Sequence, residues 1–394
     1  MSSISNNVDI MFLLDLKNLI FNIDNNIILE TVKEIRKLKP EKFSILFYYI
    51  ISKLIFSSTK RDYDKLAVYI NFIKEYDDET LTKTLIQYLI RVNNCESNYF
   101  LNKLLENNIA KVDDVKNIKS LYFMHYKSDE DINKMKNDID FDEVNNNIEK
   151  LKKNNWELHK KLISDGNNPS LIANILREDD INKLQDLSSN DSFDFSGEVE
   201  HSIYERHYFV NNFLIVKLID FAAFFGSIKC FDYLLLNGAD INGTGQYAVA
   251  SGNLEMIHKL EGKEATFEYS HEAAIEYHQN QIFFYLYNNK IGKNIPSDLE
   301  LIQKCIECDN YEILIFLLEK YEGSYSDLIK TSLQNGNIYL YNYFKVQGKI
   351  PKDMLPYSIR PGNLELVKNF IDIKGIDINA KNVLLNVLIF YYLT

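Results

Sequence analysis

At 394 residues, with 46% hydrophobic and 25% charged side chains, the chain has the make-up of a folded protein, long enough for two or three domains or one extended array. Its formal charge of −12, with no block of Lys and Arg to offset it, argues against nucleic acid and anionic membrane surfaces as partners. Four cysteines make no disulfide framework, and 6 prolines with 14 glycines are few for a chain of short strands, so an all-α fold in a reducing, cytoplasmic setting is expected.

Residues 1–126 read as a helical N-terminal domain. The opening stretch has no basic n-region, and Asp15 and Lys17 interrupt its apolar run, so it does not read as a signal peptide. Asp24 is placed to cap a helix through Leu29, Val32 and Ile35 that ends before Pro40. Pro40 suits the first turn of the next helix, where Phe43, Leu46, Phe47, Ile50, Ile51 and Leu54 recur at helical spacing. That run contains Lys53 and falls short of the ~20 residues of a membrane span. Further helices are expected over Leu66–Ile73, Leu81–Ile90 and Phe100–Leu105.

Residues 127–165 read as a charged helical linker, with a thin stripe at Val144, Ile148, Leu151, Leu158 and Leu162. Asp138, Asp140, Asp142 and Glu149 match part of a calcium-loop pattern, but Glu143 stands where the sharp turn needs glycine, and no metal is expected. Lys150, Lys152 and Lys153 beside these acids read as a solvated helix face.

From 166 to 394 a repeat decides the architecture. Aligned segments place a turn residue at Gly226, Gly252, His278, Asp309, Gly336 and Gly362, so the intervals are 26, 26, 31, 27 and 26 residues. Four residues before each turn stands a small residue: Ala222, Ala248, Ala274, Cys305, Ser332 or Ser358. Five after it comes Phe231, Ile257, Phe283, Leu314, Tyr341 or Val367, and eight after it Leu234, Leu260, Leu286, Leu317, Phe344 or Phe370. The pattern predicts helix pairs. A small residue lets the second helix approach the first, glycine supplies the left-handed turn, and the later positions form an apolar stripe that stacked neighbours must bury. An extra, shortened unit is expected from Pro169 through Leu184.

Ala222-Ala223-Phe224-Phe225-Gly226 and Leu234-Leu235-Leu236-Asn237-Gly238-Ala239-Asp240-Ile241-Asn242 resemble the ankyrin repeat, and Gly375-Ile376-Asp377-Ile378-Asn379 repeats its ending. The whole layout is similar to a large set of ankyrin proteins from trichomonad protozoa, in which a helical N-terminal region precedes the repeats. The usual Thr-Pro-Leu-His opening is absent, and most units are shorter than the ~33 residues of that family. The resemblance implies an ankyrin-type helix-pair solenoid with short or missing β-hairpin fingers and a binding role. It also implies that the two residues before each turn face a protein partner: Phe224/Phe225, Ala250/Ser251, Glu276/Tyr277, Glu307/Cys308, Gln334/Asn335 and Arg360/Pro361.

Nothing in the sequence points to catalysis or a cofactor. Cys305-x-x-Cys308 lacks a second ligand pair, and Cys305 fills a packing position. His201 and His207, flanking Tyr204 and Glu205 in a loop-like stretch, read as surface or capping residues. No nucleophile elbow or phosphate-cradling loop occurs. The expected function is therefore a non-enzymatic protein-binding scaffold; the alternative gives the specific function to the N-terminal helices and makes the array a structural or oligomerisation arm. The apolar run after Asn379, including Leu384, Leu385 and Leu388, is a candidate for self-association.

Overall fold

The structure, a computed structural model, describes residues 8–40, 44–118, 120–136, 148–190, 192–212, 216–292, 295–348 and 357–358. Among these it is predominantly helical, with 21 α-helices and one two-stranded sheet. In chain order the helices begin with α1 (Val8–Phe21), α2 (Ile28–Leu38), α3 (Ser44–Arg61), α4 (Leu66–Tyr76), α5 (Glu79–Val92) and α6 (Cys95–Glu106). Next come α7 (Val112–Val115), α8 (Asp129–Lys136), α9 (Ile148–Asp165), α10 (Leu171–Arg177) and α11 (Ile181–Ser188). Strands β1 (Glu198–Val199) and β2 (Val216–Lys217) pair antiparallel, Glu198 opposite Lys217. Five helix pairs follow: α12 (Leu218–Phe225) with α13 (Ile228–Leu236), α14 (Gly245–Ser251) with α15 (Leu254–Glu261), and α16 (Ser270–Glu276) with α17 (Asn280–Asn289). The last two are α18 (Asp298–Cys308) with α19 (Tyr311–Leu318), and α20 (Ser326–Gln334) with α21 (Ile338–Gln347). No helix among the described residues is long and apolar enough to cross a membrane.

Two compact units result, residues 1–85 with 296–394, and residues 86–295. In the first, α1 packs on α3, α2 on α4, and α1 also lies against α19 and α21. Leu13, Leu16 and Ile20 of α1 and Leu46, Phe47, Ile50, Ile51 and Leu54 of α3 are buried, as helical spacing predicts. Asp24 does not cap α2. Its carboxylate instead accepts the Asn26 and Ile27 N–H groups in a turn before the helix, and Leu29 points outward while Ile28 and Thr31 join the buried face. In the second unit, first helices α10, α12, α14 and α16 pack in succession. α9 is broken at Lys153–Trp156, where Asn154, Asn155 and Trp156 take left-handed φ. Its buried residues are Ile148, Leu151, His159 and Ile163, whereas Leu158 is exposed.

The repeat register reappears as one local geometry. The turn residues Gly226, Gly252, His278, Asp309 and Gly336 all have φ between 53° and 75°. After each, the next residue's N–H returns to the small residue's carbonyl: Ser227 to Ala222 (2.9 Å), Asn253 to Ala248 (3.2 Å), Gln279 to Ala274 (2.9 Å), Asn310 to Cys305 (3.0 Å) and Asn337 to Ser332 (2.9 Å). This is the backbone closure that a left-handed residue permits at a helix end. The six small residues, Ser358 included, are fully buried, as are Phe231, Ile257, Phe283 and Leu314 of the stripe. Gly362, Val367, Phe370 and the segment after Asn379 lie outside the described residues, as do Asp138, Asp140 and Asp142.

The residue after the turn carries a second function. Ser227 donates to the Leu176 carbonyl, Gln279 Nε2 to the Ala250 carbonyl (3.3 Å), and Asn337 Nδ2 to the Tyr311 hydroxyl (3.1 Å), each reaching back to the preceding pair. A Cβ on Gly226 would meet Asn253 Nδ2 at 2.5 Å, and one on Gly252 would meet Gln279 at 2.7 Å. Glycine there eases the left-handed φ and leaves room for the tips of the Asn253 and Gln279 side chains, which would have to shift to admit a Cβ. The extra pair α10–α11 follows the same plan, with Asp179 left-handed (φ 52°) and its carboxylate accepting the Lys229 and Cys230 N–H groups of α13.

Asp309 departs from glycine for a different reason. Its carboxylate is fully buried and lies 2.7 Å from Lys53 Nζ of α3, itself buried. The Tyr311 hydroxyl donates to Asp309 at 2.8 Å. Burial pushes the Lys53 ammonium toward neutrality, but the Asp309 charge and hydrogen bond, together with Tyr49 and Cys308, outweigh it and leave the pKa above the ordinary lysine value. Within this unit the N-terminal helices and the repeat are therefore joined by a buried ion pair at a turn. Asp309→Gly relieves the left-handed strain yet strands Lys53, and is expected to destabilise the protein by about 3 kcal/mol, with Lys53→Met restoring most of the loss. Urea denaturation of the single and double variants measures this; a neutral or stabilising Asp309→Gly would show that the pair does not join them.

Candidate functional site

The pre-turn residues divide by exposure. Phe224, Ala250 and Tyr277 are buried, Phe225, Ser251, Glu276, Gln334 and Asn335 are half-buried, and Glu307 is exposed. Cys308 is half-buried, and Arg360 lies outside the described residues. In the second unit the cover over Phe224 and Tyr277 is the chain itself. Residues 200–212 follow β1 and bring Phe209 against Phe224 of α12, Tyr247 of α14 and Tyr277 just after α16, while the Tyr277 hydroxyl also reaches Glu96 of α6.

This segment is held residue by residue. Its base is closed by Ser202 and Asn211, whose backbone and amide groups exchange hydrogen bonds of 3.1 and 2.7 Å. The Tyr204 hydroxyl meets His159 Nδ1 at 3.0 Å. Glu205, 0% exposed, receives Arg177 Nη2 at 2.5 Å and the Asn168 N–H at 3.0 Å on one oxygen. Its other oxygen receives the His207 N–H at 3.1 Å and lies 2.7 Å from His207 Nδ1. The Arg206 N–H donates to the Gly166 carbonyl at 3.1 Å, and its guanidinium sits 5.3 Å from the Tyr99 ring centre. The Tyr208 N–H donates to Glu96 Oε1 at 3.2 Å. Phe209 lies against three rings from successive first helices: Phe224 at 6.0 Å, Tyr247 at 5.2 Å and Tyr277 at 5.3 Å. Arg177 lies 4.1 Å over the Phe225 ring, so one cation serves both the carboxylate and an aromatic face.

His207 is thus interior, not the surface or capping residue that its loop-like setting suggested, and Glu205 beside it is buried too, whereas His201 is exposed. Burial alone would raise the Glu205 carboxyl; the His207 hydrogen bond, the His207 and Arg177 charges and the Asn168 N–H outweigh it and hold its pKa at about 2. Burial also holds His207 below its ordinary value, so near neutrality its neutral ring faces an ionised Glu205. A carboxylate so low in pKa, with both oxygens already accepting two contacts, is a poor general base. Burial, reinforced by the Glu96 and Glu205 charges, pushes the neighbouring Cys95 thiol well above its ordinary range, away from the thiolate that reactivity requires. Among the described residues no three His, Cys, Asp or Glu side chains are placed to hold a metal ion. What the site offers is anchorage: a cation for a carboxylate, backbone and carboxylate groups for a polypeptide segment, and an aromatic socket.

Sequence reasoning placed Phe224, Ala250 and Tyr277 facing a partner, whereas all three are buried, and it missed the cover over Phe224 and Tyr277. The signal present was local, in the aromatic and charged run Tyr204-Glu205-Arg206-His207-Tyr208-Phe209 just before the first full repeat. Nothing in periodicity pairs that run with Arg177, Glu96 or Tyr247.

Beside the segment, His125 and His159 face each other with ring centres 5.3 Å apart. Burial, helped for His159 by His125, lowers their pKa values to about 4 and about 3. Both folded values lie below the unfolded histidine value of about 6.5, so stability is full above that pH and is lost as pH falls from 6.5 through the folded values. The unit should lose a few kcal/mol across this window, and the double variant His125→Gln/His159→Gln should show a smaller drop between pH 7 and pH 5. Urea midpoints at the two pH values decide it; an undiminished drop in the variant would assign acid sensitivity elsewhere.

No protein-family model matches the chain, and a search of curated proteins finds no match.

Proposed function

We propose that this chain is a non-enzymatic, ankyrin-type repeat scaffold that holds a protein partner through the pre-turn residues of its helix pairs. The observation that carries the reading is the recurring turn: five helix pairs share one left-handed residue, one backbone closure and one buried small residue. Within each unit such regularity presents the same two pre-turn positions from successive pairs, which suits recognition by a surface more than a single reactive centre. The variety at those positions supports selective binding. Phe225, Ser251, Glu276, Glu307, Gln334 and Asn335 offer apolar, polar and acidic groups outside the core.

The N-terminal helices are less suited to an independent role. α1 packs on α19 and α21, and α3 buries Lys53 against Asp309, so residues 1–85 form part of the body that carries the last repeats. The densest polar cluster, around Glu205, is engaged in holding the fold, which favours binding over catalysis.

The test is affinity capture from cell extract, comparing the intact chain with Ser251→Glu/Glu307→Lys/Gln334→Glu. These positions lie outside the core, so helicity by circular dichroism should be unchanged while a captured partner falls by about tenfold or more. A partner held equally by both proteins would remove the pre-turn face as the binding surface.

A further inference from the structure

The segment covering the second unit's pre-turn face is bound in the manner of a ligand. Glu205, His207 and Phe209 enter the pocket lined by Arg177, Phe224, Phe225, Tyr247 and Tyr277, Tyr204 and Arg206 reach His159 and Tyr99, and the N–H groups of Arg206 and Tyr208 donate to Gly166 and Glu96. The segment is turned rather than extended at its end, where Tyr208–Val210 forms a single 3-10 turn that sets the Phe209 ring on its socket; backbone groups fix the chain and its side chains enter pockets. The groove is chemically explicit. Arg177 and the Asn168 N–H receive a carboxylate, the edges of Phe224 and Phe225 receive the His207 ring at 5.6 and 5.2 Å, and Phe224, Tyr247 and Tyr277 receive an aromatic ring.

Two further features mark the segment as separable from what it covers. Its base is fastened on its own account, by the β1–β2 pair and by the Ser202–Asn211 exchange, so its ends stay together without the groove. The helices beneath have a separate core. Phe221, Ala222, Ala223, Val249, Ala274 and Ile275 are fully buried, whereas Phe209 itself remains half-buried in its socket.

We propose that residues 204–209 are a built-in ligand, and that the partner of this groove is a peptide presenting a carboxylate four residues ahead of an aromatic side chain, with which the segment competes. The inference rests on the reading of the pre-turn face as a binding surface and names the chemistry that face takes in the second unit. Because the competitor is tethered, its effective concentration is set by a short loop, and an outside peptide gains access only by matching both the carboxylate and the aromatic anchor. The groove therefore selects against peptides that supply one anchor alone.

The experiment uses the full chain and a fluorescein-labelled synthetic peptide of residues 200–212. In one version of the chain, residues 203–210 are replaced by a Gly/Ser linker of equal length; in a second, the segment is kept but carries Glu205→Gln and Phe209→Ala. Fluorescence anisotropy should show saturable peptide binding by the opened chains, at least about tenfold tighter than by the intact chain. Peptides carrying Glu205→Gln or Phe209→Ala should each bind about tenfold more weakly, and a Gly/Ser/Ala peptide retaining only Glu, His and Phe at these spacings should still bind. Circular dichroism establishes that each version is folded. If the linker version is not folded, the second version decides alone. Absence of binding to a folded opened chain, or equal binding of the Phe209→Ala peptide, would overturn the proposal. Neither result needs an outside partner, so the pre-turn scaffold reading would stand or fall separately on its own capture experiment.

Discussion

Each helix pair of the repeat carries an apolar stripe that it cannot cover alone, and the turn between its helices decides whether a neighbour can cover it. The left-handed residue sends the second helix back along the first, and the small residue four positions earlier lets the two approach until Phe231, Ile257, Phe283 or Leu314 is fully enclosed. A right-handed residue there would break the closure that joins Ser227 to Ala222 and its equivalents. The side chains at the following position would then no longer reach the preceding pair. Packing, polar linkage and the spacing of the pre-turn face all follow from that one backbone conformation.

Two of the five turns use residues other than glycine, and Asp309 shows how such a departure is compensated. The carboxylate gives Lys53 the partner that its burial demands, and Tyr311 and Asn337 complete the surroundings. A generic turn is thereby converted into a specific one: only a segment carrying a cation at the right height on a helix satisfies it. The Glu205 cluster in the other unit applies the same physics to a loop. There a buried carboxylate fixes a flexible stretch by gathering Arg177, Asn168 and His207 around itself.

Much of this was legible in the sequence because it is local. The turn positions, the small residues and the stripe repeat at near-constant spacing, and short-range geometry turns spacing directly into structure. The row of side chains just after the turns (Ser227, Asn253, Gln279, Asn310, Asn337) was equally periodic and went unread, because the partners of Ser227, Gln279 and Asn337 lie in the preceding pair. The cover over Phe224 and Tyr277, and the pairing of Lys53 with Asp309, were not legible at all. Each joins residues far apart in the chain through contacts that occur once, and a single non-periodic contact leaves no pattern. Asp24 illustrates the finer limit: a capping residue was recognised, but it serves the turn before the helix and leaves the helix start uncapped.

The grouping of residues 1–85 with 296–394 bears on how the protein is made. During vectorial synthesis the N-terminal helices emerge first, yet Lys53 and the exposed side of α1 acquire their counterparts only after residues 86–295 have been translated. For that interval a half-assembled body carries apolar surface and an uncompensated cation, the kind of species that chaperones hold. The second unit is continuous in sequence and is complete on the ribosome before the first one can close. The contacts that close it can therefore form before the long-range closure of the first unit.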